Sequence, residues 1–397
     1  MEKLLLLSQR KAQETSLEFQ RFLLAKIDWT ERLIGILGAR GSGKTTLLLQ
    51  HLKKDLPQDG TASFVSLEDF YFTENRLIDF AEEFQLRGGK ILLLDEIHRY
   101  PTWSRELKLI YDNLPGLQVV FTSSSILEIY KGEADLSRRL VSYHLPELSL
   151  REFIQLEKGI KLEALPLQDI LENHVTLASQ ILSQLAPIPE FLAYQKFGGY
   201  PFFKEGKYKF LEKLKRTIQL TIELDLNAVE NLDYETIFKL KRLIRMISTS
   251  VPFTPNVSEL SRKSGISRPT LLRSLELLER ANVIQTFHKP NLGIGALTKP
   301  EKIYLANSNL LYALAEDQVQ IGTVRETFFA NQVKQVSQVN LTERGDFLID
   351  EKWTFEVGGK NKTSSQIKGL ADAFLVKDDI EIGLKNTIPL WLFGFLY

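Results

Sequence analysis

The run Gly38-Ala39-Arg40-Gly41-Ser42-Gly43-Lys44-Thr45 constrains this chain more than any other segment. The apolar stretch Leu33–Leu37 precedes it, and a leucine-rich helical pattern over Thr45–Lys54 follows. Glycine, four residues, then Gly-Lys-Thr between a strand and a helix is the P-loop pattern. Gly41 and Gly43 let backbone N–H groups turn inward around phosphate oxygens, and a helix starting near Lys44 adds its positive end. Lys44 would reach the β- and γ-phosphates, and Thr45 would offer its hydroxyl to Mg2+. Gly38, Arg40, Ser42 and Thr46 complete the expected cradle. The pattern points to ATP with Mg2+ as its ligands.

The surrounding sequence fits an α/β domain. Short apolar runs at Leu33–Leu37, Ser63–Leu67, Ile91–Leu94, Val119–Phe121 and Val141–Leu145 alternate with helical patterns. Such alternation predicts a parallel sheet covered on both faces, with expected order 5-1-4-3-2. Asp95 ends the third run, where ligands gather in open α/β sheets. It is the expected Mg2+ residue. Its neighbour Glu96 is placed to orient and deprotonate an attacking water. That pair favours ATP hydrolysis over phosphate transfer to a metabolite.

Two further features admit two readings each. Thr122-Ser123-Ser124-Ser125 could sense the γ-phosphate through a hydroxyl, Ser123 in particular, or cap a helix. In Ser137-Arg138-Arg139, either arginine could serve a neighbouring subunit's site in a homo-oligomer, plausibly a ring of six, or form a solvated basic face.

Composition narrows the rest. A chain of 397 residues holds two or three domains. Fifty basic and fifty acidic side chains cancel, so any nucleic-acid contact must come from a local patch. Cysteine is absent and His numbers five, which excludes disulfides, thiol catalysis and Cys-ligated zinc and argues against a His-rich metal site. No apolar run has the length of a signal sequence or a membrane span, so a cytoplasmic protein without membrane contact is expected.

Val257–Gly265 followed by Ser267-Arg268-Pro269-Thr270 reads as helix, turn and capped helix, with Leu271, Leu275 and Leu278 as an apolar stripe. Val283–Phe287 and Lys302–Leu305 could pair as a wing. Residues 255–302 hold eight Lys or Arg against four Glu and no Asp. Arg268, Thr270, Arg273 and Ser274 could face DNA, or the unit could serve protein contacts. A second basic stretch, Lys204–Arg216, has six Lys or Arg against two Glu and reads either as a nucleic-acid path or as a solvated helix face.

The stretches Gly38–Thr45, Asp95–Trp103 and Glu106–Tyr111 resemble AAA+-type bacterial and archaeal ATPases of the archaeal-ATPase group, relatives of the STAND switch ATPases. Ser123–Ser125, Arg139 ahead of Leu148–Phe153, and the Gly198–Pro201 turn belong to the same resemblance. It implies nucleotide binding by Lys44 and Thr45, metal binding by Asp95 and hydrolysis through Glu96. It also implies a domain plan: ATPase with N-terminal helices over 1–158, helical lid over 159–247, winged helix over 248–308 and a restriction-endonuclease-like domain over 309–397. A nuclease of that fold needs a helix glutamate, an aspartate and then Glu-x-Lys. Glu326, Asp346 and Glu356 fit, but Gly358 stands where the lysine belongs. Lys360 lies about 13 Å beyond Glu356 on an extended strand. A degenerate site is expected. The functions in view are an ATPase that binds or remodels DNA, an ATP-controlled switch or scaffold, and an ATP-regulated nuclease.

Overall fold

The computed structural model describes residues 1–123, 136, 138–226, 232–249, 257–290 and 300–397. Ser124, Ser125, Ser137 and Lys299 lie outside them. The chain divides into two compact units, Met1–Glu147 and Leu148–Tyr397.

In the first unit, α1 (Glu2–Glu14) leads to β1 (Leu33–Leu37), α2 (Lys44–Asp55), β2 (Ala62–Ser66) and the single turn α3 (Tyr71–Glu74). There follow α4 (Leu77–Leu86), β3 (Ile91–Asp95), α5 (Trp103–Asn113), β4 (Gln118–Ser123) and β5 (Val141–His144). All five strands are parallel, in the order β2-β3-β4-β1-β5. This is the expected 5-1-4-3-2 read from the other edge. Successive strand residues feed opposite cores. Leu92, Leu94, Val119 and Phe121 pack with Phe80, Phe84 and Leu107 on one face, while Leu93, Val120, Ile34 and Ile36 meet Leu47 and Leu48 on the other. A strand buried on both faces must be apolar throughout, hence the uninterrupted runs. The edge strand β2 is covered by α1, whose Ser8 hydroxyl accepts the Phe64 N–H at 2.8 Å.

Glu106 shows how part of the resemblance is spent on structure. Its buried carboxylate accepts from Tyr100 Oη (3.0 Å), Thr102 Oγ1 (2.7 Å) and the Ile78 N–H (2.9 Å), tying α5 to α4.

The second unit begins with α6 (Leu150–Lys158), α7 (Leu167–Leu182), α8 (Pro187–Phe197), α9 (Lys207–Leu220) and α10 (Tyr234–Thr249). α11 (Val257–Ser264) and α12 (Arg268–Arg280) precede an antiparallel pair, β6 (Ile284–Phe287) with β7 (Lys302–Leu305). After α13 (Ser308–Leu314) and α14 (Ile321–Val333) comes a second sheet. It contains β8 (Val339–Leu341), β9 (Phe347–Ile349), β10 (Trp353–Gly358), β11 (Ala373–Lys377) and β12 (Thr387–Pro389), in the order β12-β11-β10-β9-β8. β8, β9 and β10 form an antiparallel meander, and β10, β11 and β12 run parallel.

The first unit ends at Glu147, eleven residues before the boundary expected at 158. α6 belongs to the second unit for a visible reason. Ser149 and Glu152 form a reciprocal capping box, and the Ser149 hydroxyl also donates to the Tyr397 carbonyl at 2.8 Å. Arg151 Nε donates to the same carbonyl at 3.0 Å. The segments expected as lid, winged helix and C-terminal domain all lie within this one compact unit. Among the described residues no helix is long and apolar enough to cross a membrane.

Candidate nucleotide site

The P-loop joins β1 to α2 at the C-terminal ends of the parallel strands. Gly41 and Gly43 take φ of 83° and 98°, the left-handed region where a side chain is disfavoured. A β-carbon at Gly38 would collide with the Leu145 carbonyl oxygen. Lys44 is buried, and its ammonium donates to the Gly38 and Ala39 carbonyls at 2.9 and 3.0 Å. Ser42 is buried, Arg40 half-buried, and Thr46 exposed on the first turn of α2.

Beyond the loop, Asp95 organises the site. Thr45 Oγ1 donates to its carboxylate at 2.9 and 3.1 Å, and Thr122 Oγ1 donates at 2.6 Å. Burial raises the Asp95 pKa above the usual carboxylate range, the nearby Glu96 adds to this, and the two threonines and Lys44 oppose it. The loop glycines, buried lysine, threonine hydroxyl and aspartate form a donor set that fits a nucleotide phosphate with Mg2+.

Glu96 adopts φ 54°, ψ 47°, left-handed for a non-glycine residue. Its N–H donates to Thr122 Oγ1 at 3.0 Å, which holds the turn in this strained shape. His98 follows within the 3-10 turn Ile97–Arg99. Its Nε2 lies 3.4 Å from Glu96 Oε2, and its Nδ1 lies 3.2 Å from Ser123 Oγ at the end of β4. Burial lowers the His98 pKa to about 3, assisted by Arg99, Lys44 and Arg40.

The expected residues thus fall into separate groups. Gly38, Gly41, Gly43, Lys44, Thr45, Asp95, Glu96 and Ser123 share one end of the sheet. Arg139 is engaged elsewhere: its guanidinium donates twice to Asp112, at 2.9 and 3.0 Å, and its neighbour Arg138 is exposed.

In the second unit, Arg268 and Thr270 are exposed at the start of α12. Arg273 is exposed and donates to Glu276 at 2.8 Å, and Glu276 also meets Arg280. Ser274 turns inward, buried, with its hydroxyl donating to the Thr270 carbonyl at 2.7 Å, so it does not face outward with the arginines.

The C-terminal carboxylates do converge. Lys302 Nζ lies 3.9 Å from both Glu326 and Asp346, and Tyr304 Oη donates to Glu326 at 2.6 Å. Burial raises the Glu326 and Glu356 pKa values, each with Asp346 contributing. The lysine that reaches Glu356 is Lys362, at 2.5 Å, rather than Lys360. Lys360 is exposed, and its carbonyl accepts from Lys377. The turn after the strand, closed by the Lys362 N–H on the Gly359 carbonyl at 2.9 Å, brings Lys362 rather than Lys360 back against Gly358. Among the described residues no group of three or more His, Asp or Glu side chains is placed to hold a metal ion.

Sequence reading missed three residues. Thr122, which the sequence groups with the sensor hydroxyls, anchors Asp95. His98 is visible in the sequence only as one letter of a motif. Arg21, in an unremarkable stretch, is buried and donates to the carbonyls of Ser42, Pro146 (2.7 Å) and Glu147 (3.1 Å). It pins the P-loop from behind. Arg21→Ala should cost about 2–4 kcal/mol of stability by stranding buried carbonyls, and should weaken nucleotide affinity. Urea unfolding and a nucleotide titration check this, and an unchanged midpoint would refute it.

Residues 30–154 match the family model described as an AAA domain. Residues 189–320 match one described as a domain of unknown function, DUF8612. An uncharacterized protein of Methanocaldococcus jannaschii is 26% identical over 268 residues, covering 64% of this chain. The chain spans 56% of that relative's length. Among solved structures, AMPPCP-bound DnaA from Aquifex aeolicus is 16% identical with a TM-score of 0.25, covering 64% of this chain and 84% of its own. The S. cerevisiae Hsp104–ADP complex is 17% identical with a TM-score of 0.29, covering 69% and 41%. The parallel sheet of order β2-β3-β4-β1-β5 and the P-loop give the first unit the fold of an AAA+ P-loop ATPase, and its residues 30–154 are similar to the AAA domain.

Proposed function

We propose that this protein hydrolyses ATP with Mg2+ at the P-loop and uses the cycle to bind or remodel DNA. One observation carries the first half: Thr45, Asp95, Glu96 and the buried Lys44 stand together at one end of the sheet. The P-loop amides and Lys44 bind the phosphates. Thr45 and Asp95 would hold Mg2+, which neutralises phosphate charge when bound. Glu96 takes a proton from water, whose oxygen attacks the γ-phosphorus as the bond to the bridging oxygen of ADP breaks. A cation from a neighbouring subunit, Arg138 or Arg139, would complete a homo-oligomeric site, as in a ring of six. Arg139 must first leave Asp112 to do so.

Lys44→Ala should abolish nucleotide binding, while Glu96→Gln should bind ATP normally and lose at least about 100-fold in turnover. Equilibrium binding and phosphate release in the purified variants check this. Wild-type turnover in Glu96→Gln would overturn the role of the base.

For the DNA half, α11, α12 and the β6–β7 pair support a winged-helix reading, with Arg268, Thr270 and Arg273 outward on α12. Replacing Arg268 and Arg273 with Ala should weaken duplex binding and reduce the salt slope by about one per lost phosphate contact. A double variant that binds as wild type does would remove this surface from consideration. The ion pairs of Glu276 with Arg273 and Arg280 favour a second reading, an ATP-controlled switch whose helix contacts protein. DNA that stimulates hydrolysis supports the first reading over the second.

Residues 309–397 read as a restriction-endonuclease-like fold kept without nuclease chemistry. Lys302 and Lys362 already neutralise the carboxylates that a metal would need. The purified protein should not cleave duplex, single-stranded or branched DNA with Mg2+ or Mn2+. Cleavage that vanishes in both Asp346→Ala and Glu356→Ala would reverse this assignment.

A further inference from the structure

We infer that His98 is a positioning residue for Glu96, linking that carboxylate to Ser123 on the adjacent strand. The inference rests on the hydrolytic reading above and goes beyond it. β3 and β4 are neighbours in parallel register, with Leu94 opposite Phe121, so Glu96 and Ser123 emerge at the same end of the sheet. The His98 ring bridges them, 3.4 Å from Glu96 Oε2 through Nε2 and 3.2 Å from Ser123 Oγ through Nδ1.

The ring's chemistry suits this place. A neutral imidazole has one donor and one acceptor, and one tautomer serves both neighbours. With Nδ1 accepting from the Ser123 hydroxyl, the proton sits on Nε2, the nitrogen 3.4 Å from the Glu96 carboxylate. An imidazolium there would lower the basicity of Glu96. Burial and the surrounding cations Arg99, Lys44 and Arg40 keep the ring neutral, so it orients the base without neutralising it. The left-handed backbone at Glu96 sets where its side chain leaves the strand, and His98 fixes where the carboxylate ends. Ser123 extends the connection to β4, beside the Thr122 that holds Asp95. The metal-binding aspartate and the base are thereby referenced to the same two strands. A histidine that merely fills the core would contribute packing without any effect specific to turnover.

The test uses the full chain with ATP and Mg2+. In His98→Ala, kcat should fall about 10- to 100-fold, the loss expected for one hydrogen bond to a charged group. KM and the affinity for a fluorescent ATP analogue should stay within about twofold. His98→Gln, whose amide can both donate and accept, should recover most of the loss. Ser123→Ala should lower kcat by a smaller factor with affinity unchanged. Adding His98→Ala to Glu96→Gln should slow single turnovers no further, because the residue acts through Glu96. Wild-type kcat in His98→Ala, or an undiminished effect on the Glu96→Gln background, overturns the inference. If His98→Ala does not fold, His98→Gln and Ser123→Ala decide it: kcat at the wild-type level in Ser123→Ala together with a dead His98→Gln overturns it. The two levels separate cleanly. Absence of ATP turnover in the wild-type protein defeats the hydrolytic reading itself, and full turnover in Glu96→Gln defeats the base that His98 would position, whereas an inactive Glu96→Gln beside a fully active His98→Ala defeats only the role of His98.

Discussion

The first unit depends on one buried carboxylate. Asp95 ends the interior strand β3 and cannot stand there uncompensated, because an unpaired charge out of water is costly. Two threonine hydroxyls satisfy it, Thr45 from the first turn of α2 and Thr122 from β4. That pairing fixes the helix after the P-loop against two adjacent strands of the sheet, β3 and β4. Thr122 has a second task, accepting the N–H of Glu96. A single hydroxyl thus holds the aspartate and sets the left-handed turn that directs the next residue. The interactions that keep the fold together also place the chemistry.

What the sequence revealed follows from locality. The P-loop, the four-residue apolar run before Asp95 and the strand–helix alternation are contiguous, and each has a physical requirement that few residue types meet. The sheet order and the residues at its ligand end were therefore legible. Arg21 was not, because its partners, Ser42 and Pro146-Glu147, stand 21 to 126 positions away and are backbone carbonyls with no sequence signature. His98 was visible as a letter within a motif, but its role depends on β3 lying beside β4. The division between the compact units at Glu147 follows the same rule. The contacts that claim α6 come from the last residue of the chain.

Lys362 shows how a pattern can mislead by two residues. Strand parity alone selects Lys360, since alternate residues share a face. Parity lapses once the strand ends at Gly358, and the turn that follows folds Lys362 back against the strand. The result is a site where two lysines face three carboxylates. The raised Glu326 and Glu356 pKa values reflect burial first and mutual repulsion with Asp346 second. Such a cluster is stable only with cations present, and here the chain supplies them itself.

The same principle separates the two acidic centres of the molecule. At Asp95 the hydrogen-bond partners are neutral hydroxyls, so an incoming cation would displace no charge from the carboxylate. At Glu356 the compensation is an ammonium in direct contact, so a metal ion would have to displace a charge already satisfied. Lys44 lies between these extremes. Its ammonium is buried on two loop carbonyls, neutral acceptors that anionic phosphate oxygens can outbid, since bonds between charged partners are roughly twice as strong. The loop is thus closed by contacts weak enough to exchange, over a backbone whose shape its glycines have already fixed.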